Sequence, residues 1–343
     1  MTHNFSVMNA LKNRHAWSVA LICLLLFSLT GCSSLASYAS RNAVISDTAF
    51  YFDTVVKITL CGTKDTSILD ECFFEMAKYE SLLSRTREGS DIWNINHSSG
   101  EPVEVSDVTI ELLELAIHYS ELSGGVFDPT IASVVSLWKF TDNPEKVLPE
   151  ESDIAEALTH VNYRNIQIKG NTVTLLDPDA SIDLGGIAKG YIADQLKTFL
   201  INKEVTGALI NLGGNNLALG TKPGNQSWKI GIQKPFGESS DLAAVLSIDG
   251  KSVVTSGNYE RYFEKDGRIY HHILDPATGY PVQNHLNGVT ILSDSSADGD
   301  ALSTTCFVLG VEKGLELIES LPGIEAMFLS DDGAIYRSSG FPK

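Results

Sequence analysis

Helical and strand periodicities follow one another in irregular order along this chain, and this irregularity restricts its fold more than any other feature. Apolar residues recur at helical spacing over about 66–83, whereas residues 51–60 are β-branched and aromatic and predict a strand. A second helix is predicted from a cap at Ser106 to Leu122, and a hairpin over 165–176. This mixture, without an internal repeat, predicts an α+β fold with largely antiparallel sheets flanked by helices.

The second half of the chain continues the mixed pattern. Residues 187–202 predict a helix, and 228–293 predict a series of short strands. Residues 300–309 and 314–321 predict two further helical segments, and a last hairpin turns at 332–333. No long linker interrupts the pattern, so we expect the globular part to be continuous.

The composition is that of a globular, strongly acidic protein. Of 343 residues, 43% are hydrophobic and 20% charged, which excludes a disordered, collagen-like or coiled-coil chain. The formal net charge is −18, and the first 31 residues carry Lys12 and Arg14 but no acid, so the remainder carries 23 − 43 = −20. A body this acidic is repelled by phosphate backbones, so we predict no nucleic-acid partner.

The first 31 residues are typical of a secretory signal. Lys12 and Arg14 precede an apolar run over 16–29, which is too short to span a membrane comfortably. The run ends at Leu29-Thr30-Gly31-Cys32, which resembles the bacterial lipobox, whose cysteine is lipidated. An ordinary signal peptide or an uncleaved anchor with a chance cysteine is the alternative.

These features predict three segments. Residues 1–31 form the lipoprotein signal peptide, 32–46 a lipidated tether and 47–343 the globular domain. We therefore expect lipidation at Cys32 and a cell-envelope protein whose lipid anchor holds it to a membrane on the extracytoplasmic side.

The other cysteines predict neither a disulfide framework nor a zinc site. Apart from Cys23 in the signal, they are Cys61, Cys72 and Cys306, an odd number without Cys-x-x-Cys spacing. Cys72 and Cys306 have apolar neighbours, which favours a role as small buried hydrophobic residues.

Two glycine-rich turns precede predicted helices. In the first, residues 124–130, Pro129 can occupy the first position of the next helix. In the second, residues 183–191, the amides of a helix N-terminus and Lys189 suit a phosphate group. Its spacing is neither a Walker loop nor a dinucleotide-binding fingerprint, and a plain tight turn is the alternative.

Three further clusters follow strands or begin a helix. Residues 211–215 contain a Gly-Gly pair at a strand end, where backbone can approach a ligand closely. His271 and His272 are adjacent on a predicted strand, so only one of them can face a given site. Asp300 and Thr304 lie four residues apart, on one helix face, and their oxygens suit Mg²⁺ or Ca²⁺. Stabilisation of the helix dipole by Asp300 is the alternative.

Taken in order, these stretches resemble the ApbE family of FAD:protein FMN transferases, and the resemblance covers about residue 50 to the C-terminus. The matching stretches are 52–54, 90–91 with Asn96, 127–130, 183–191, 211–215, 255–259, 272–279 and 300–304 running into Gly310. The resemblance implies an ApbE-like fold with an FAD cleft between two lobes.

The resemblance also implies an activity. Enzymes of this family use Mg²⁺ to split the pyrophosphate of their substrate FAD. They join FMN through a phosphoester to a Ser or Thr hydroxyl of a partner flavoprotein and release AMP. The implied partner is a subunit of an ion-pumping redox complex or an extracellular flavoprotein.

Site residues carry over position by position. The metal ligands would be Asp300, Thr304 and the carbonyl of Ala188, and the base that activates the acceptor hydroxyl would be His272, oriented by Asp275. We expect His272 to titrate near the ordinary histidine pKa of about 6.5. The implied FAD contacts are Phe52, Thr86, Val126, Phe127, Asp128, Gly185, Lys189, Tyr191 and Ile273.

The chain departs from the family pattern at two of these positions. Many members have Met where this chain has Phe52, and Tyr where it has Thr86. Two other functions therefore stay open at this point. One is a Mg²⁺-dependent FAD pyrophosphatase that uses water in place of an acceptor, and the other is a non-catalytic FAD-binding lipoprotein.

Overall fold

The computed structural model describes residues 42–140, 143–238 and 240–342. The predicted signal peptide and Cys32 lie outside the described residues. The first strand begins at Val44, within the last three residues of the predicted tether.

An eight-stranded sheet forms the centre of the fold. Its strand order is β1-β2-β6-β7-β10-β13-β14-β15, and every neighbouring pair is antiparallel, which confirms the predicted α+β class. The strands are β1 (Val44–Tyr51), β2 (Thr54–Cys61), β6 (Gly207–Leu212), β7 (Asn215–Gly220), β10 (Ser252–Gly257), β13 (Leu286–Ser293), β14 (Glu325–Ser330) and β15 (Ile335–Arg337).

Three smaller antiparallel sheets surround the large one. The first has the order β3-β5-β4, the second pairs β8 with β9, and the third pairs β11 with β12. Their strands are β3 (Val103–Glu104), β4 (Ile166–Lys169), β5 (Thr172–Leu175), β8 (Trp228–Gln233), β9 (Leu242–Ile248), β11 (Tyr262–Lys265) and β12 (Arg268–His271).

Seven α-helices lie within the described residues, together with a short 3₁₀ turn at Tyr163–Asn165. None of them is long and apolar enough to cross a membrane. They are α1 (Ser67–Leu83), α2 (Asp91–Asn96), α3 (Asp107–Leu122), α4 (Ala132–Trp138), α5 (Glu151–Leu158), α6 (Ala188–Asn202) and α7 (Ser296–Glu319). The Ser106 cap of α3 is confirmed, because its hydroxyl accepts a hydrogen bond from the amide of Thr109.

The local predictions hold in part. The strand predicted over 51–60 is confirmed as β2 from Thr54 onward, but its first residues end β1 and form the turn of a hairpin. Phe52 and Asp53 adopt φ angles of 55° and 57°, as both central residues of a type I′ turn must. Pro129 does not open a helix, since Asp128 accepts hydrogen bonds from Thr130 and holds a turn there. The two helical segments predicted near the C-terminus are confirmed, and they meet at a kink in α7 where Gly310 has φ 80° and ψ −179°.

Apolar side chains form three clusters. The largest packs α1, α3, α6 and α7 beneath the eight-stranded sheet and contains Cys72 and Cys306, as predicted. The second joins the opposite face of that sheet to β8 and β9. The third joins α4 and α5 to β11 and β12 around Trp138. The third cluster thus forms a separate lobe beside the main body.

Helices α6 and α7 cross in close contact at their first turns. A Cβ atom placed on Gly190 would lie 2.2 Å from the backbone oxygen of Ser296. Only a residue without a side chain fits between the two backbones. The carboxylate of Asp194 on α6 also accepts hydrogen bonds from Ser295, Ser296 and Ala297 at the start of α7.

Gly190→Ala should therefore destabilise the protein by about 1–3 kcal/mol or more, because two backbones must move apart. The free energy of unfolding, measured with a chemical denaturant, checks this expectation. Thr198→Ala, on the exposed side of the same helix, is the control and should change stability by less than about 0.5 kcal/mol. Equal stability of the two variants would contradict the close contact.

Candidate active site

A cleft of about 1390 Å³ lies between the main body and the smaller lobe. The main body contributes the β1–β2 turn, the start of α6 and the first turns of α7. The smaller lobe contributes α4, and the segment 272–276 after β12 joins the two parts, since Ile273 packs in the main core and Leu274 in the smaller lobe. Twelve of the predicted site residues line this cleft: Phe52, Thr86, Val126, Phe127, Asp128, Gly185, Ala188, Lys189, His272, Ile273, Asp300 and Thr304.

The predicted metal ligands lie together at the start of the two crossing helices. The Asp300 side chain is 5% exposed, and its Oδ2 accepts a hydrogen bond from the amide of Gly190 at 2.9 Å. Its Oδ1 lies 3.8 Å from the Lys189 ammonium, too far for a hydrogen bond. The Thr304 hydroxyl, one helical turn further along α7, faces the same cleft and lies 3.3 Å from the Ser256 hydroxyl.

This donor set fits a hard divalent cation. It offers a carboxylate oxygen that no described residue hydrogen-bonds and a hydroxyl on the same helix face, beside Ala188 on the first turn of α6. Magnesium prefers such oxygen ligands and binds with only one or two carboxylates when substrate phosphates complete its coordination. The chemistry of these side chains therefore agrees with the predicted metal site.

His272 faces the cleft with one ring nitrogen available. Its Nδ1 lies 3.3 Å from the carbonyl oxygen of Arg261, which can only accept a hydrogen bond. Nδ1 therefore carries the proton, and Nε2 has the free lone pair that a general base requires. The amide of His272 donates to the same carbonyl, so the backbone at Arg261 fixes both the ring and the chain.

The expected pKa of His272 was wrong. Burial among the residues of the cleft, with a further contribution from the positive charge of Arg261, lowers its pKa to about 3. The imidazole is therefore neutral throughout the physiological range. Neutral imidazole is the form that a general base requires, and the same desolvation makes it a weaker base than a histidine in water.

His271 points away from the cleft, as the strand geometry predicts. It is 2% exposed, packs edge-on against Phe307, and its Nε2 lies 2.9 Å from the carbonyl oxygen of Val282. Burial lowers the pKa of His271 to about 4. It is a structural residue of the core.

The pKa of His271 makes stability depend on pH. In the unfolded chain His271 binds a proton as pH falls through about 6.5, whereas in the folded protein it stays neutral at that pH. The contribution of His271 to stability is therefore lost as pH falls below 6.5. Between pH 7 and pH 5 the loss amounts to about 2 kcal/mol. The difference in the free energy of unfolding between wild type and His271→Gln, measured with denaturant, should be smaller at pH 5 than at pH 7 by that amount. A difference that is constant with pH would contradict the prediction.

Asp275 does not orient His272, contrary to the prediction. Its Oδ1 accepts a hydrogen bond from the amide of Ala277 at 2.9 Å, and its backbone oxygen accepts from Gly279, so it stabilises the turn over 275–279. The carbonyl of Arg261 has the orienting role instead. A backbone oxygen of a residue distant in sequence leaves no signal in a motif.

Tyr191, predicted to touch FAD, lies outside the cleft. It is 6% exposed, its hydroxyl donates to Glu111 at 2.6 Å, and its ring packs edge-on against Tyr79. Tyr191 follows Gly190 on α6, and its side chain projects into the main core rather than toward the ligand. Its place in the family motif is explained by packing.

Asp128 lines the cleft, but its carboxylate is already engaged. One oxygen accepts from the amide and hydroxyl of Thr130, and the other accepts from the amide of Tyr163. The side chain therefore shapes the turn that presents Val126 and Phe127 to the cleft. Gly186 allows Phe127 to approach, because a Cβ there would lie 3.1 Å from its ring.

The β1–β2 turn places Phe52 at one end of the cleft. Its amide donates to the Glu80 carboxylate at 2.7 Å, which ties the turn to α1. Thr86 lies on the exposed segment after α1, where its hydroxyl is 3.2 Å from that of Ser84. Both positions that depart from the family pattern therefore line the cleft.

Sequence reasoning missed several charged residues of the cleft. Arg85 forms an ion pair with Asp183, with 2.9 Å between Nε and Oδ2. Glu260 and Arg261 directly follow the stretch 255–259 that matches the family, and this position could have identified them as residues of the cleft. Desolvation of the Glu260 carboxyl within the cleft raises its pKa to about 7, and the positive charge of Lys189 opposes this shift.

The cleft is close to charge balance although the protein is strongly acidic. Its lining bases are Arg85, Arg87, Lys139, Lys189 and Arg261, and its lining acids are Asp53, Glu80, Asp128, Asp183, Glu260 and Asp300. Asp183 is paired with Arg85, and Glu80 accepts a hydrogen bond from the amide of Phe52. The five bases can therefore attract an anionic, phosphate-bearing ligand that the acidic body alone would repel.

The architecture is that of solved flavin transferases. The ApbE protein of Thermotoga maritima matches with a TM-score of 0.80 and 34% identity, covering 87% of this chain and 97% of that one. The flavin transferase ApbE of Vibrio cholerae matches with a TM-score of 0.78 and 27% identity, covering 87% and 98%.

Sequence comparison assigns the family. The ApbE family profile matches residues 52–328, and the chain belongs to the ApbE family. An FAD:protein FMN transferase of Klebsiella pneumoniae is 39% identical over 303 residues, covering 88% of this chain and 93% of the relative. One of Treponema pallidum is 34% identical and covers 94% of each. The predicted resemblance and fold are confirmed.

Proposed function

We propose that this enzyme transfers FMN from FAD to a Ser or Thr hydroxyl of a partner flavoprotein and releases AMP. The observation that carries the proposal is the convergence of a neutral histidine, His272, with Asp300 and Thr304 in one cleft that also holds five bases. Curated relatives that cover most of the chain are named for this activity, which supports the same conclusion.

The chain's own residues supply a proton acceptor and charge. Nε2 of His272 takes the proton of the acceptor hydroxyl as its oxygen attacks the phosphorus on the FMN side of the pyrophosphate. The bond from that phosphorus to the bridging oxygen breaks, and AMP leaves with the bridging oxygen. Lys189 offsets negative charge on the phosphates, and Phe127 and Phe52 provide apolar surface for the flavin and adenine rings.

Magnesium belongs to the same proposal. Asp300, Thr304 and the Ala188 carbonyl would hold it, and when bound it neutralises charge on the phosphate oxygens. The other acidic group in the described residues that could hold a metal, His160 with Asp177 and Asp179, lies outside the cleft. We therefore assign the catalytic ion to the Asp300 side.

One assay separates this function from the alternatives. The protein is incubated with FAD, Mg²⁺ and a candidate acceptor, such as a subunit of an ion-pumping redox complex. An acceptor mass increased by FMN, with AMP in solution, supports transfer. Free FMN and AMP without a modified acceptor would indicate a pyrophosphatase, and unchanged bound FAD would indicate a binding protein.

We further propose that the enzyme is a lipoprotein of the cell envelope, held to a membrane through Cys32 on the extracytoplasmic side. The lipobox-like sequence Leu29–Cys32 and the preceding apolar run support this location.

Cys32→Ala should abolish lipidation and release the protein from the membrane fraction, because the acylated thiol is lost. Metabolic labelling with a fatty acid, followed by fractionation, measures both effects. Cys306→Ala is the control, since that thiol is buried in the core and should not affect labelling. Unchanged labelling of the Cys32 variant would refute the lipoprotein assignment.

A further inference from the structure

The cleft has more room than a single small ligand needs. Its volume of about 1390 Å³ exceeds the roughly 300–1000 Å³ of ordinary small-molecule pockets. The proposed reaction brings two substrates to His272, FAD and a segment of the acceptor protein. The additional space is therefore a candidate path for the acceptor.

One wall of that space is the free edge of a strand. Among the described strands, β8 pairs only with β9, and its residues Ile230–Gln233 line the cleft. Alternate backbone groups of a paired strand point away from its partner, and those of β8 meet no hydrogen-bonding group elsewhere in the described chain. Such an edge is a template for a further strand.

The side chains of β8 leave this edge open. Ile230 and Ile232 are 5% and 2% exposed, because they pack against the large sheet and anchor the strand. The alternate positions, Gly231 and Gln233, are exposed, and Gly231 has no side chain to obstruct an approaching backbone. The strand is therefore held rigidly on one side and accessible on the other.

An exposed aromatic residue continues the path toward the base. Phe236 follows β8 and is 47% exposed. Its ring lies 5.4 Å from that of Tyr262 and 6.1 Å from that of Tyr259, centroid to centroid. Tyr262 directly follows Arg261, whose carbonyl orients His272. Phe236 thus connects the end of β8 to residues 259–262, the segment that includes Arg261.

We propose that the acceptor binds as an extended segment that pairs with the free edge of β8, rests an apolar side chain on Phe236 and presents its hydroxyl to His272. This inference rests on the proposed function and adds the way in which its protein substrate is recognised. Pairing through backbone groups gives affinity that depends little on the acceptor's side chains.

The first test uses peptides as probes. A library of ten-residue synthetic peptides, each with one central Thr, is incubated with the enzyme, FAD and Mg²⁺, and modified peptides are detected by flavin fluorescence. The best substrate is then resynthesised with a single backbone N-methyl group at each position in turn. We expect transfer to fall at least about fivefold at alternate positions, since each methyl removes one strand hydrogen bond.

The second test changes the enzyme. Phe236→Ala should raise the KM for the peptide by about fivefold or more and leave the affinity for FAD unchanged. Phe74→Ala is the matched control, because Phe74 is 65% exposed on α1, outside the cleft. It should leave both constants at their wild-type values.

The outcomes separate this inference from the proposed function. A flat N-methyl profile, or a wild-type KM for Phe236→Ala, overturns the docking mode. Modification of a folded redox-complex subunit but of no peptide also overturns it, while the transferase function stands. If neither acceptor gains FMN although FAD binds, the proposed function is wrong and this inference fails with it.

Discussion

Replacing His272 by alanine should lower the rate of FMN transfer by roughly 10²–10⁴-fold, the usual contribution of a positioned general base. The structure gives the physical reason, since Nδ1 is held by the Arg261 carbonyl and Nε2 is the nitrogen free to take a proton. The affinity for FAD should change far less, because the aromatic and charged contacts lie on other residues. Acceptor mass measures transfer, and quenching of flavin fluorescence measures binding.

A matched control separates loss of the base from loss of any histidine. His285 has a side chain that is 88% exposed and lies outside the cleft, so His285→Ala should transfer FMN at the wild-type rate. The melting temperatures of both variants show whether either is misfolded. Wild-type transfer by a folded His272→Ala enzyme would remove this residue from the mechanism.

Asp300→Asn should lower turnover by at least ~10²-fold, taking the loss of one transition-state charge contact as about 3 kcal/mol. Asparagine keeps the size of the side chain and an oxygen that can accept from the Gly190 amide. It removes the negative charge that the proposed Mg²⁺ needs. We expect the remaining activity to require a much higher Mg²⁺ concentration, which a titration of rate against Mg²⁺ measures.

Asp294→Asn is the control for net charge. Its side chain is 79% exposed and pairs with Lys251 away from the cleft, so the substitution removes the same charge from the acidic body without touching the site. It should have wild-type turnover and the same Mg²⁺ dependence. Near-normal activity of Asp300→Asn at low Mg²⁺ would exclude Asp300 as a ligand.

Much of the fold follows from local signals in the sequence. Ser106 and the apolar spacing of 107–122 predict α3 because capping and amphipathicity act within one element. The opposite orientations of His271 and His272 follow from strand geometry alone. The same face shared by Asp300 and Thr304 follows from the helical period.

The errors arose where distant parts of the chain decide the outcome. Tyr191 belongs to a family motif, but its hydrogen bond to Glu111 and its ring contact with Tyr79 place its side chain in the core. The orienting partner of His272 is a backbone oxygen eleven positions earlier, which side-chain identity cannot reveal. The low pKa of His272 results from the surrounding cleft, and no local pattern predicts such burial.

Reciprocal hydrogen bonds join α6 and α7, the two helices that carry the proposed magnesium ligands. Asp194 of α6 accepts from the first amides of α7, and Asp300 of α7 accepts from Gly190 of α6. Sliding of either helix would break both sets of hydrogen bonds at once, so this wall of the cleft is rigid. The chain on either side of His272 is held to the same body, because His271 packs against Phe307 of α7 and Ile273 belongs to the largest apolar cluster. The base and the proposed magnesium ligands therefore rest on one packed body, and their relative positions are set before either substrate binds.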